Sequence, residues 1–102
     1  MKKNNLKMIL SEFMSLTTSR KTLPLKTVYV FLDVLTVPEQ SPQTYANRMD
    51  LTKSAIAKQL DYLEELDLVN RVSNPVNGRE KLVCLTPKAK LLEARINQQL
   101  GA

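Results

Sequence analysis

Apolar residues along this chain recur mostly at helical spacing, and one stretch breaks the rhythm. Leu6, Ile9, Leu10, Phe13 and Leu16 share a stripe, with Lys2, Lys3, Lys7 and Glu12 elsewhere, which predicts a first helix over roughly 3–17. A polar connector, Thr17 to Lys21, leads towards Leu25 to Val37. There Val28, Tyr29, Phe31, Leu32 and Leu35 occupy much of the circumference, as in a helix at the middle of a core. Pro38-Glu39-Gln40-Ser41-Pro42 ends that helix, and Ser41 reads as an N-cap with Pro42 at the first helical position. Pro42 to Met49 carries Tyr45, Ala46 and Met49 on one side. Asp50-Leu51-Thr52 is then a tight turn, and Thr52 can cap a helix that starts at Lys53. Leu51 and Ile56 stand at the spacing of a hydrophobic staple, which fixes the angle at which the chain joins a helix. Two helices with such a turn make a helix-turn-helix.

The break comes next. Leu68-Val69-Asn70-Arg71-Val72 and Lys81-Leu82-Val83-Cys84-Leu85 are β-prone, and Asn77-Gly78 between them is a strong hairpin signal. Pro75 cannot donate a ladder hydrogen bond, so pairing should stop short of the tip and leave a protruding loop. Cys84 sits among the strand hydrophobes and is expected to be a buried structural thiol rather than a redox sensor. Thr86-Pro87 opens a last helix whose apolar residues, Leu91, Leu92, Ile96 and Leu100, are sparse and one-sided. The order predicts a mainly α fold with a small β-hairpin, a winged helix-turn-helix in the sequence α-α-α-α-β-β-α. It is expected as a single domain over 1–102: N-terminal helix and connector 1–22, helix-turn-helix plus wing 41–86, C-terminal helix 87–102.

The helix from Lys53 divides sharply by face. Ile56, Leu60 and Leu63 form one stripe, while Ser54, Lys58, Asp61 and Tyr62 point away, with Lys53 and Ala57 nearby. Small, hydroxylic and basic residues near the start suit a helix that approaches base edges and phosphates, although any surface helix is polar on its outside. Asp61, Glu64, Glu65 and Asp67 collect negative charge near the other end, against the helix dipole. A metal or acid/base site is one reading of that cluster. A solvated face kept away from phosphates is the plainer one, since no other ligand type accompanies it.

Composition then narrows the function. Fifteen Lys+Arg against ten Asp+Glu give the 102 residues a net charge of +5, a field that attracts polyanions without distinguishing nucleic acid from an anionic membrane. With no histidine, one cysteine and two glycines, the chain has no imidazole chemistry, intrachain disulfide, Cys₄ zinc site or glycine-rich phosphate loop. The longest apolar run, Val28 to Leu32, is too short to span a bilayer. Ser11 and Glu12 interrupt the N-terminal apolar stretch too early for a signal peptide. An intracellular, soluble, cytoplasmic (nucleoid-associated) protein without cofactor or metal is expected. No nucleophile–base spacing suggests an enzyme, and few aromatics argue against unstacked RNA as the main ligand.

The run LTKSAIAKQLDYLEELDLVNRVSNPVNGREKLVCLTP resembles the MarR-like winged-helix transcriptional regulators. The resemblance covers Leu23 to about Leu92. Leu63-Glu64 matches that family's LE pair, Leu68-Val69 with Arg71 its "GLV.R", Arg79 its wing arginine, and Val83, Leu85 and Thr86 its closing "V.LT". Three departures stand out. Asn77 replaces the usual wing aspartate, so the pairing that orients Arg79 is altered. Asp67 and Ala89 replace glycines; aspartate can still adopt the left-handed backbone that glycine usually supplies. The terminal segments are also shorter than in members that dimerise through long helices around a ligand pocket.

The resemblance implies a sequence-specific double-stranded DNA-binding transcriptional regulator. The helix from Lys53 would lie in the major groove and the wing on the minor groove. Expected DNA-binding residues are Arg48, Thr52, Lys53, Ser54, Ala57, Lys58, Tyr62, Asn77, Arg79 and Lys81. A homodimer is expected through Leu6, Ile9 and Phe13 with Leu92, Ile96 and Leu100, and a small-molecule effector is expected less than in the longer members. The alternative is a winged-helix protein-interaction adaptor or small subunit that does not read DNA sequence, with Asp61 to Asp67 as part of its working surface.

Overall fold

A computed structural model describes residues 24–100 together with Lys7, Ser11 and Met14, which lie in helical backbone. The rest of the helix expected over 3–17, including Leu6, Ile9 and Phe13, lies outside the described residues. The elements run α1 (Leu25–Thr36), α2 (Pro42–Met49), α3 (Lys53–Glu65), β1 (Val69–Ser73), β2 (Lys81–Leu85) and α4 (Pro87–Leu100). Mainly helical with a two-stranded antiparallel hairpin, they form the expected winged helix-turn-helix.

Caps set the boundaries. Ser41 Oγ accepts the Thr44 N–H at 3.2 Å, Thr52 Oγ1 accepts the Ala55 N–H at 3.1 Å, and Thr86 Oγ1 accepts the Ala89 N–H at 3.1 Å. Each satisfies one of the amide donors that a helix start leaves unpaired. At their C-termini α2 and α3 close in the same way. The Leu51 N–H reaches Ala46 O at 2.8 Å behind Asp50 at φ 55°, and the Leu68 N–H reaches Leu63 O at 2.9 Å behind Asp67 at φ 60°. These are Schellman closures with aspartate where glycine is usual. Glu39 also takes a positive φ, 62°, which the sequence did not announce.

Phe31, Val34 and Val30 of α1 pack with Tyr45 and Ala46 of α2, Ile56, Leu60 and Leu63 of α3, Val69 and Val83 of the hairpin, and Leu92 and Ile96 of α4. The expectation that α1 is apolar on most sides needs correcting at its N-terminal half, because Leu25 is 77% and Tyr29 62% exposed. Within this core, Thr27 Oγ1 donates to Gln59 Oε1 at 2.6 Å, a buried polar link between α1 and α3.

The hairpin pairs Val69 with Leu85, Arg71 with Val83 and Ser73 with Lys81. On its other edge β2 holds a single bridge that the sequence did not suggest. The Val83 N–H donates to Gln40 O at 2.8 Å and the Glu39 N–H to Val83 O at 3.2 Å. Tyr45 secures that segment: its hydroxyl donates to Val37 O and accepts the Gln40 N–H at 3.3 Å. Cys84 also departs from expectation, being half-buried. Side chains alternate along a strand; Val83 takes the inward place, and Cys84 faces a surface cleft beside Pro38, Glu39 and Lys90. Burial is the main influence raising its thiol pKa.

Tyr45→Phe removes both hydroxyl contacts while keeping the ring, so unfolding in urea should show a loss of about 1–3 kcal/mol. Burial, the largest cause, holds the phenol protonated above its ordinary value. Its contribution to stability is therefore complete below the ordinary tyrosine value and is lost as pH rises through the raised one. Alkaline titrations of stability should show that loss in the natural chain and not in Tyr45→Phe.

Candidate nucleic-acid interface

The outer face of α3 begins at its cap. Thr52 is exposed, but its hydroxyl is engaged by the Ala55 N–H and lies 3.3 Å from Ser54 Oγ. Lys53, Ser54 and Lys58 are exposed; Ala57 and Tyr62 are half-buried. Lys53 and Ala57 line a cleft of ≈ 370 Å³ with Ser41 and Gln43 at the start of α2 and Lys81 at the base of the wing. The helix-turn-helix and the hairpin thus bring two lysines from distant sequence positions to one hollow.

The acidic end of α3 is organised rather than merely solvated. Arg71 on β1 donates from Nε to Glu64 and from Nη2 to Asp61, one turn apart on the helix. Among the described residues no group of three or more Cys, Asp or Glu is placed to hold a metal ion. In the sequence Arg71 stands out only as a point of family likeness. Its role as the clamp between helix and hairpin emerges from the pairing Arg71↔Val83, which aims it at α3.

Arg48 is also engaged. Its Nε and Nη2 contact both oxygens of Asp33 on α1 at 2.8–3.2 Å, a bidentate fork that ties α2 to α1.

Pairing of the hairpin stops at Ser73 and Lys81, as Pro75 led one to expect, and residues 75–81 are exposed. The reversal includes Asn77-Gly78 as expected, with the Glu80 N–H donating to Asn77 O at 3.2 Å, but it does not rest on a left-handed glycine. Gly78 has no positive φ, and the asparagine side chains shape the loop instead. Asn74 Oδ1 accepts the Val76 N–H at 2.9 Å and the Asn77 N–H at 3.3 Å, and Asn77 Oδ1 accepts the Arg79 N–H at 3.1 Å. Asparagine side chains commonly mimic backbone in this way. Asn77 therefore orders the backbone of Arg79, although it carries no charge to pair with the guanidinium. Lys81 Nζ lies 3.3 Å from Ser73 Oγ across the hairpin base.

Of the residues expected to build a dimer, Leu92 and Ile96 belong to the core, 0% and 6% exposed. Leu6, Ile9, Phe13 and the Leu100 side chain lie outside the described residues. Leu91, beside Leu92, is 59% exposed.

No protein-family profile matches the sequence, and no curated protein matches it either. Solved structures do. A MarR-like transcriptional regulator from Thermotoga maritima is 25% identical over 99% of this chain and 77% of its own, with a TM-score of 0.71. A cysteine-to-serine mutant of MarR from E. coli, complexed with operator DNA, is 20% identical over 94% of this chain and 71% of its own, at 0.66. The transcriptional repressor CouR, bound to a DNA duplex, is 20% identical over 98% of this chain and 70% of its own, at 0.63. The chain has the winged-helix fold of the MarR-like transcriptional regulators.

Two substitutions separate the loop's determinants. A Cβ at position 78 would meet nothing within 4 Å, so Gly78→Ala should change stability by no more than about 0.5 kcal/mol. Asn74→Ala should instead speed amide hydrogen exchange at Val76 and Asn77. Arg71→Ala leaves Asp61 and Glu64 facing each other without their cation, and a loss of about 1–2 kcal/mol should appear in urea unfolding.

Proposed function

We propose that the chain is a sequence-specific double-stranded DNA-binding transcriptional regulator, with α3 in the major groove and the wing on the minor groove. The observation that carries this reading is the hollow shared by Lys53 and Lys81, beside an exposed Ser54 and Lys58 on the same helix. Lys53 and Lys81 meet there with Glu80 on the same rim, while Arg71 pairs with Asp61 and Glu64 further along α3. Relatives in fold are bound to DNA, including the E. coli MarR mutant and CouR.

In this reading Ser54, Lys58 and Tyr62 face base edges, Thr52, Lys53 and Ala57 allow close approach to the backbone, and Asn77, Arg79 and Lys81 meet the flanking groove. A narrow A·T-rich minor groove has the enhanced negative potential that attracts an inserted arginine. Arg48 contributes less directly, because Asp33 already holds it. A homodimer would place two copies on half-sites about one helical turn apart. Leu6, Ile9, Phe13 and Leu100 are its proposed contacts, and Leu92 and Ile96 would act through the core that supports them. No helix among the described residues is long and apolar enough to cross a membrane.

A second reading, a protein-binding adaptor, draws on the exposed apolar side chains Leu25, Tyr29 and Leu91, which exceed what reading DNA requires. Fluorescence anisotropy with fragments selected from random DNA, titrated over salt, distinguishes the two. DNA binding should weaken steeply as salt rises, and Arg79→Ala should reduce the slope of log affinity against log salt by about one. Lys58→Ala should cost about 1–3 kcal/mol and relax discrimination at particular base pairs. No binding at low salt by the folded chain would remove the DNA reading in favour of the adaptor.

A further inference from the structure

The wing tip holds a reactive pair whose covalent chemistry is separate from any contact with DNA. Asn77 and Gly78 lie within an exposed run, and the hydrogen bond from the Arg79 N–H to Asn77 Oδ1 folds the carboxamide back beside the Asn77–Gly78 peptide. A donor on that oxygen draws electron density from Cγ and makes it more electrophilic. Among the described residues nothing accepts a hydrogen bond from the Gly78 N–H, and no side chain at position 78 shields that nitrogen. The other described asparagines lack this combination. Asn74 precedes a proline, which has no N–H, and Asn47, Asn70 and Asn97 lie in regular helix or strand.

We propose that Asn77-Gly78 is a site of spontaneous deamidation, through which the wing acquires a carboxylate beside Arg79 as the protein ages. The Gly78 nitrogen gives its proton to hydroxide and bonds to Asn77 Cγ. The bond from Cγ to the side-chain nitrogen breaks, and that nitrogen takes up a proton and leaves as ammonia. Water then adds to either carbonyl of the succinimide, the bond from that carbonyl to the ring nitrogen breaks, and the nitrogen regains a proton. Opening at one carbonyl gives aspartate; opening at the other gives isoaspartate, whose main chain runs through the former side chain. Overall one water is consumed and one ammonia released, with no change of oxidation state.

Either product lowers the charge of the wing by one unit next to Arg79 and Lys81. Isoaspartate also lengthens the main chain inside a loop closed by the Asn74 N–H to Glu80 O at 3.0 Å and the Glu80 N–H to Asn77 O at 3.2 Å. The aspartate product restores the residue usual beside the wing arginine in the resembled family, so weaker binding is expected of the isoaspartate product, whose altered backbone displaces Arg79 from phosphate. That consequence rests on the DNA-binding reading, whereas the chemistry itself does not.

The test incubates the full chain at neutral and at mildly alkaline pH, followed by peptide mass mapping and enzymatic methylation of isoaspartate. Conversion should appear at Asn77 well before Asn47, Asn70, Asn74 or Asn97, and faster at the higher pH. Gly78→Ala, which has room for its methyl group, should keep the Asn77 amide several-fold longer. Isoaspartate-containing protein, separated by ion exchange, should bind the selected DNA several-fold more weakly than fresh protein. An Asn77 amide that persists as long as the others, or isoaspartate-containing protein that binds as tightly as fresh, would overturn the proposal. If fresh protein does not bind DNA, the functional reading fails, and the mass map alone decides whether the site deamidates.

Discussion

The chain reversal after α3 is the constraint on which the rest of the structure depends. Asp67 takes a left-handed backbone, the Leu68 N–H closes onto Leu63 O, and Leu63 and Leu68 are both fully buried. The reversal then serves as an anchor. Thr86 Oγ1 donates to Asp67 O at 2.6 Å, the Thr86 N–H to Leu68 O at 3.1 Å, and Lys88 Nζ to Leu66 O at 3.0 Å. Otherwise unpaired carbonyls around the end of α3 are thus satisfied by the residues that begin α4. The hairpin is held at both ends by this junction, so its direction relative to α3 is fixed where the helix stops.

Electrostatics follow from that geometry. Because β1 leaves the junction alongside α3, Arg71 reaches Asp61 and Glu64. The single guanidinium offsets one of the two negative charges and holds both carboxylates against the hairpin, with Arg71 and Glu64 half-buried and Asp61 66% exposed. What α3 then offers at its other end is Lys53, Ser54 and Lys58. Asp33 plays a similar part for Arg48, with the opposite effect on the interface: a cation that the sequence leaves available is committed to holding α2 against α1.

The wing shows how side-chain chemistry can replace backbone permissiveness. Asparagine at 77 in place of aspartate looked like the loss of a partner for Arg79, yet its carboxamide orders the Arg79 backbone. The loop is therefore shaped by two asparagines, and Gly78 is a position without steric demand. The same substitution that preserves the loop leaves an amide next to an unhindered glycine nitrogen, so order and chemical lability share one residue.

The sequence by itself determined the elements of the helix-turn-helix and hairpin, because their signals are local. Ser41, Thr52 and Thr86 cap within three residues of themselves, Pro75 limits pairing wherever it stands, and the helical stripes of α2 and α3 are periodic. Cys84 is half-buried rather than buried, an outcome the sequence leaves open because strand composition does not say which alternate residue faces inward. Only the tertiary structure decided what joins separated segments: Gln40 against Val83, Thr27 with Gln59, Arg71 across to α3, Arg48 onto Asp33, and Leu25 and Tyr29 left outside the core. These outcomes depend on where elements meet after folding, and a charge or hydroxyl in sequence does not reveal which distant partner will come within hydrogen-bonding reach.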